Sequence, residues 1–447
     1  ENFFKNSSIS SWFSNLKLRA SYGMMGDDNL GGLYPDFAYL SGYTYYKGQS
    51  LMPDDPFSSV KSKKVIGSAP KGIPVTTISW MKIKLMNVGI DFGFFDNRLT
   101  GEFDLFKRMR DGIPGTPSDI MFPLETGLSA LPENMNSDMT VGFDAFVKWN
   151  DKVGDLKYSV GANITFARQK NGKRHGEIFG NAWDKYRWAQ SNRWSNVVLN
   201  TDQGNAGGVW MWEVIGRFET QEQIDSYPVD QDGQNNATVH PGDVILRDVN
   251  GDGIINDFDE RPQAYASADW PWDSSTSNKN PLISMGINVG FEWKGFDVAA
   301  DFAGGFKNTF VADWDLKWGV TRSVNGYYYN NIDVWRHEDI FDPKSPWIPG
   351  KFPALRGQES HSGRWWNSFY TREVNYLRLR NLVVGYSLPK NWIRKVGMEQ
   401  CRIYFQGTNL FCLSSLHDYG FDPEISTVNG QDYPQHKVLT LGVNVKF

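Results

Sequence analysis

The sequence predicts an all-β protein, the wall of an antiparallel β-barrel that crosses a membrane and carries long loops on one rim. Three observations carry this expectation. Apolar and polar residues alternate in about ten segments, each of roughly the 9–11 residues that a tilted membrane strand needs. The connections between those segments alternate between short and long. No stretch approaches the ~20 consecutive apolar residues of a helical span, while aromatic residues make up 15% of the 447, with 18 Trp, 19 Tyr and 29 Phe. So many aromatics suit interfacial girdles or ligand platforms.

In chain order, Leu16, Leu18, Ala20 and Tyr22 alternate with Lys17, Arg19, Ser21 and Gly23. Met86, Val88, Ile90, Phe92 and Phe94 alternate with Asn87, Gly89, Asp91 and Gly93. Asp96-Asn97 is a two-residue hairpin signal, and the chain returns through Leu99, Phe103 and Leu105 with Thr100, Glu102 and Asp104 opposite. Val141, Phe143, Ala145, Val147 and Trp149 form the next apolar face; a turn over Asn150–Gly154 leads to Tyr158, Val160, Ala162, Ile164 and Phe166. Ile283 to Trp293 alternates cleanly, and Lys294-Gly295 turns it into Phe296, Val298, Ala300 and Phe302. The stretch Tyr376–Leu388 changes phase near Arg380-Asn381, which predicts a bulge. Ile403 and Phe405 begin the penultimate strand. The last strand, Val438–Phe447, sets Leu439, Leu441, Val443, Val445 and Phe447 against Thr440, Gly442, Asn444 and Lys446.

The short connections are Asp96-Asn97, Asn150–Gly154, Lys294-Gly295 and Pro389–Gln400; the long ones are Met25–Ile83, Lys107–Asp138, Arg168–Pro281, Lys307–Asn375 and Cys412–His436. Outer-membrane barrels segregate short periplasmic turns from long external loops in this way. A soluble sandwich has no reason to. The mean hydropathy of -0.48 is compatible with strands that are half polar. The net charge of -5 gives no electrostatic footprint for nucleic acid. Cys401 and Cys412, placed along one extended strand, stand roughly 36 Å apart at ~3.3 Å per residue, too far for a disulfide. The chain opens on Glu1 with no signal peptide, which suggests a mature or truncated segment of something longer.

The loops carry the local motifs. Thr220 with Gln223 is a capping-box signal for a short helix ending before Pro228. Asp248, Asn250, Asp252, Asn256 and Asp259 place side-chain oxygens at positions one, three, five, nine and twelve of a loop, with Gly253 at position six and the Ile254 carbonyl at position seven. Hard oxygen ligands around a sharp glycine turn are what wraps calcium, here as a structural staple. Asp259 stands where Glu is usual, with Glu260 beside it. The alternative is an Asn/Asp/Gly-rich turn that binds nothing. Loop aromatics, among them Trp183, Trp188, Trp194, Tyr327, Tyr328, Trp365 and Trp366, either stack on substrate or pack on each other. No catalytic constellation emerges. His175, His240, His337, His361, His417 and His436 are scattered and lack zinc spacing, and neither a nucleophile elbow nor a phosphate-binding glycine loop occurs. Glu102 and Asp104 share a strand face, where they either do acid/base work or hydrate a lumen wall beside Lys and Arg. The basic stretches Lys61–Lys71 and Lys170–Arg174 face solvent, a partner or anionic lipopolysaccharide.

Several stretches together carry a family likeness: SWFSNLKLRASYGMMGDDNLG, VGIDFGFFDNRLTGEFDLFKRMRDGI, IGRFETQEQIDSYP, GDVILRDVNGDGIINDFDE, YLRLRNLVVGYSLP, CRIYFQGTNLF, YGFDPEI and LTLGVNVKF. The chain resembles the C-terminal barrel portion of SusC-like TonB-dependent transporters. This resemblance implies a 22-stranded barrel, of which residues 1–447 are roughly the last ten strands, with 168–281 a long extracellular region holding the 248–259 loop. It also implies a plug, the TonB–ExbB–ExbD energy system, a SusD-like lipoprotein lid and oligosaccharide or peptide cargo, with no enzyme activity. Asp248, Asn250, Asp252 and Asp259 match the family's acidic loop. Two other classes stand beside it: a complete ten-stranded barrel enzyme, and a secreted, calcium-stapled carbohydrate-binding β-protein.

Overall fold

The computed structural model describes residues 13–28, 42–49, 65–70, 73–117, 123, 130–173, 182–189, 209–264, 281–311, 333–354, 367–417, 421–424, 433 and 435–447. In chain order the strands are β1 (Phe13–Asp27), β2 (Tyr43–Gln49), β3 (Val65–Pro70), β4 (Met81–Phe94), β5 (Leu99–Gly115), β6 (Glu133–Val153), β7 (Leu156–Asn171), β8 (Val209–Met211), β9 (Val214–Arg217), β10 (Val244–Leu246), β11 (Arg261–Ala264), β12 (Ile283–Trp293), β13 (Phe296–Val311), β14 (Arg336–His337), β15 (Trp347–Ile348), β16 (Thr371–Ser387), β17 (Gln400–Thr408), β18 (Cys412–Ser414) and β19 (Val438–Lys446). One antiparallel sheet runs β1-β4-β5-β6-β7-β12-β13-β16-β17-β19, with β18 added beside β16. Among the described residues β1 pairs only with β4 and β19 only with β17. The sheet therefore has two open edges and is not a closed ten-stranded barrel. Among the described residues no second large sheet stacks on it.

Register sorts the side chains into two faces. One lateral row reads Leu18, Ile90, Phe103, Ala145, Ile164, Met285 across β1, β4, β5, β6, β7 and β12. The next row reads Arg19, Gly89, Asp104, Asp144, Thr165, Ser284. Among the described residues no protein layer covers the apolar face; Leu18 is 78% and Leu441 77% exposed. Side chains so exposed in a continuous band belong in lipid. Phe103, Phe143 and Phe166 stack across β5, β6 and β7 with centroids 5.8 and 5.7 Å apart.

The polar face is cross-linked by charge. Arg19 donates to Asp91 at 2.7 Å and to both Asp104 oxygens at 3.0 and 2.8 Å. It passes over Gly89, where an added Cβ would come within 2.2 Å of Asp104 Oδ1. Arg110 pairs with Asp138, Arg402 with Asp297, and Thr165 donates to Asp144 at 2.7 Å. This engages Asp104 as a wall residue. Arg378, itself buried, bonds Asp422 at 2.6 Å, and Arg380 pairs with Glu424, tying the last long loop down onto the same face.

The strands exceed the predicted length: β6 has 21 residues and β5 has 17. They continue past the apolar band toward the loops, where both faces are polar and alternation is silent. The long loops shrink to 28–80, 116–132, 172–282, 312–370 and 415–437, and the first of them contains the β2–β3 hairpin. The first turn is not a two-residue hairpin. It spans Phe95 to Arg98, closed by Arg98 N–H to Phe95 O at 3.1 Å, with Phe95, Asp96 and Asn97 all left-handed at φ 54, 55 and 62°. The second is tighter than expected, because β6 stays paired through Val153 opposite Leu156 and only Gly154-Asp155 turns. Lys294-Gly295 turns as predicted, with φ 45 and 90°. The bulge also falls where the phase changes: Asp301 faces Asn381, Phe302 faces Leu379, and Arg380 is the extra residue. Both cysteines are free thiols.

Candidate functional site

At the long-loop end, residues 209–264 with 333–354 and 367–370 form a module with dry interiors of its own. β9 pairs with β10, β8 with β11 and β14 with β15. Phe218, Ile224, Val239 and Ile245 make one buried cluster, and Trp212, Val244 and Leu246 another. The helix Gln221–Asp225 supplies Ile224. Thr220 caps it by accepting from Gln223 N–H at 3.3 Å, while the Gln223 side chain accepts from Glu219 N–H at 2.9 Å. The predicted box is present, shifted by one residue in its return bond. The buried Gln231 side chain acts as a strand substitute on β10, accepting from Leu246 N–H at 2.6 Å and donating to Val244 O at 3.2 Å.

Two aspartate loops hang from this core. In the first, Asp232 accepts from the N–H groups of Gln234, Asn236 and Thr238 and from the Thr238 hydroxyl, at 2.7 to 2.9 Å. Burial pushes its carboxyl up, but these donors outweigh that and hold it down at about 2. The second loop, 248–259, joins β10 to β11. The two are laced together by Asp230 N–H to Gly253 O at 2.9 Å and Ile255 N–H to Asp230 O at 3.0 Å.

In the 248–259 loop one carboxylate oxygen from each of Asp248, Asp252 and Asp259 lies within 4.8 Å of the others. Asp259 is fully buried at 0% exposure. It accepts from Val249 N–H and Asn256 N–H, both at 2.9 Å. Asp248 accepts from Gly251 and Gly253 N–H at 2.6 and 2.9 Å. Gly251 and Gly253 sit at φ 75 and 81°, backbone that a glycine adopts without strain. Asp252 accepts from Ile254 N–H and then the Asn250 amide, which hold its carboxyl below the usual range against a smaller push from burial. Among the described residues no Lys or Arg pairs with these three carboxylates. A cation would relieve their mutual repulsion, and carboxylates already fixed by N–H donors keep lone pairs for it.

Of the other predicted ligands, Asn250 donates to Asp252 at 2.8 Å. Asn256 caps the short turn Asp257–Asp259 by accepting from Phe258 N–H at 2.9 Å, which occupies its oxygen. Ile254 stands at the parallel bridge to Asp230. Of the predicted aromatics, Trp183 sits on the helix Ala182–Ala189, stacked on Tyr186 at 5.4 Å and edge-on to Phe258 at 5.6 Å, with the Arg261 guanidinium 5.4 Å from its ring. It therefore leans on the metal-type loop. Trp188 shares that helix, and its side chain lies outside the described part. Trp194, Tyr327, Tyr328, Trp365 and Trp366 also lie outside the described residues. Sequence reasoning missed Trp212, whose indole donates to Asn256 O at 2.8 Å, and Asn367, which bridges to Trp212. Neither has a local signal, because the partners lie far apart in the chain.

No protein-family model matches the chain. Over its whole length it is 23% identical to the TonB-dependent receptor SusC of Bacteroides thetaiotaomicron, covering 39% of that protein. It is also 23% identical to the TonB-dependent receptor P3 of Formosa agariphila, covering 40%. Among solved structures, the RagAB peptide importer in its closed-closed state superposes on 99% of the chain with a TM-score of 0.63 at 20% identity, using 42% of that protein. The chain thus spans about 40% of the length of the curated relatives it matches. The two-faced sheet, its segregated loops and these matches define a wall segment of a Gram-negative outer-membrane β-barrel. Within that class the chain is SusC-like: it is similar to the C-terminal part of a SusC-like TonB-dependent transporter.

Proposed function

We propose that this chain is part of a transporter that imports oligosaccharides or peptides across the outer membrane, driven through TonB–ExbB–ExbD, with a SusD-like lipoprotein as its lid. The observation that carries the reading is the open sheet with one face for lipid and one charge-laced polar face. Its edge strands β1 and β19 leave rows of backbone N–H and C=O groups, which a hydrocarbon phase tolerates only when further strands close the barrel. The polar face then lines a lumen, and the long-loop end, with its folded module, forms the outer mouth. Similarity to TonB-dependent receptors and to the RagAB peptide importer supports TonB coupling and import, and with SusC beside RagAB both cargo classes are kept. Asp104, which shares a strand face with Glu102, is engaged by Arg19. In this reading the chain binds and conducts rather than reacts.

Asp248, Asp252 and Asp259 hold a structural calcium ion, with Asn250 and the Ile254 carbonyl completing the oxygen set and Asn256 kept as a helix cap. The ion fixes the corner between β10 and β11, and through Phe258 it props Trp183. Uptake by a deletion strain tests the transport reading; unchanged growth on every glycan and peptide offered overturns it. Calorimetric titration of calcium into the intact receptor tests the metal, with heat expected in the parent and none after joint Asp248→Ala and Asp252→Ala substitution. No heat in the parent ends the idea.

A further inference from the structure

The short connection between β16 and β17 is the one that folds into a helix. Lys390–Ile393 runs into a 3-10 turn over Arg394–Val396 and stops at Gly397, left-handed at φ 76°. Leu388 N–H to Cys401 O at 2.9 Å and Met398 N–H to Ile393 O at 3.1 Å close it. The helix packs on β17, and its Ile393 is buried. Cys401 is buried too, at 7% exposure, although it stands in the outward column of β17 with Ile403, which is 41% exposed. The turn therefore folds back over the foot of the lipid-facing side instead of running straight on from the strands. Just above it Tyr386 packs against Phe296 at 4.4 Å on the same side. Lys390, Arg394 and Lys395 are exposed, and among the described residues none of them meets a carboxylate. Glu399, the one acid of the turn, bonds Lys446 at 2.9 Å. Beside these cations Trp392 and Val396 are 64% and 63% exposed.

We propose that the turn 389–399 is a foot that seats the barrel on anionic phospholipid in the leaflet at the short-turn rim. Trp392 and Val396 enter the boundary between headgroups and tails, and Lys390, Arg394 and Lys395 take the phosphates. The inference rests on the outer-membrane reading and adds a lipid class and the residues that hold it. Two features select this occupant. The foot is continuous with the lipid-facing band through Cys401 and the Phe296–Tyr386 pair, so whatever covers Trp392 also reaches lipid. Its three cations have no counter-charge in the protein, and long Lys and Arg stems beside a Trp are what places charge among phosphates at a bilayer surface.

The test uses the intact receptor in phosphatidylcholine vesicles, with Cys401 and Cys412 replaced by Ser and a thiol-linked fluorophore introduced through Asn391→Cys. Quenching by phosphatidylglycerol brominated on its acyl chains is compared with quenching by the same mole fraction of brominated phosphatidylcholine. The anionic lipid is expected to gather at the label and quench more strongly. Each cation strengthens attachment to anionic lipid about fivefold, so joint Arg394→Gln and Lys395→Gln substitution should weaken its relative binding about 25-fold. Lys185→Gln with Lys344→Gln, the same loss of charge in the outer loops, should leave it at the parent level. Exchanging chloride for phosphate at equal ionic strength should change nothing; release of the lipid would mean a free-anion site and overturn the foot. Equal quenching by the two lipids overturns it as well, as does an unchanged preference in the Arg394/Lys395 variant. A second receptor labelled through Leu105→Cys, in the lipid-facing band, separates the two readings. Quenching at 105 with none at 391 means that the turn faces an aqueous partner and overturns the foot alone, whereas quenching at neither overturns the membrane reading with it.

Discussion

Leu441 in the edge strand β19 of the wall and Phe218 just after β9 in the outer module are both large apolar residues, yet one is 77% exposed and the other 0%. The wall places its apolar side chains outward in columns and carries its charges inward as bonded pairs such as Arg19 with Asp91 and Asp104. The module does the reverse. Its short strands enclose Phe218, Val239 and Ile245, and its carboxylates are gathered in loops at the surface of that core. The difference teaches that one chain is folding against two solvents. Strands in hydrocarbon need only satisfy their backbones laterally. Loops in water must build a core of their own or be pinned by polar contacts, and the two aspartate loops are such pins.

The comparison breaks most visibly at the module's core. Phe218→Ala should destabilise the module by about 3–5 kcal/mol. Amide exchange should quicken across 214–246 while β5 and β6 stay protected; loss of protection in both regions together would mean that the module is not a separate unit. An arginine on the lipid face comes next. Phe103→Arg, in the middle of the band, should cost about 2–4 kcal/mol in refolding into bilayers, whereas Thr165→Arg on the polar face should cost about 0.5 kcal/mol or less. Equal costs would remove the distinction between the faces. Asp259→Ala leaves the half-buried Val249 and Asn256 N–H groups without their acceptor. It should cost about 1–3 kcal/mol within the module, read by proteolysis of the 248–259 loop.

The smallest effect is a pH dependence. Asp232 titrates at about 2 in the folded loop, below its ordinary 3.8. Its carboxylate therefore stabilises the fold at pH values above the ordinary one, and that contribution fades as pH falls through 3.8 toward 2. Screening at this half-buried site keeps the effect to about 1 kcal/mol. Asp232→Asn should flatten the acid limb of the module's unfolding between those limits, and an unchanged limb would assign it elsewhere.

Much of the wall was legible because alternation is a local signal wherever one face meets lipid. It falls silent above the band, which is why the upper end of β6 carries no alternation of its own. Turn positions slipped where pairing persists through polar residues, as at Asp151 and Lys152, or where a phenylalanine takes a left-handed conformation, as at Phe95. The phase change at Arg380 and the 248–259 spacing were legible for the same reason: each is written within a dozen residues. The module's core was not, because Trp212, Leu246 and Phe369 are brought together from segments far apart, and nothing in any one of them marks the others.

The claim on which the rest depends is the division of β5 into alternate solvents. Single spin labels at Phe103, Asp104, Leu105 and Phe106 of the intact receptor in bilayers, with Cys401 and Cys412 replaced by Ser, test it directly. Labels at Phe103 and Leu105 should collide preferentially with dissolved oxygen, and those at Asp104 and Phe106 with a water-soluble nickel chelate. Four labels of equal accessibility to both reagents would contradict the account.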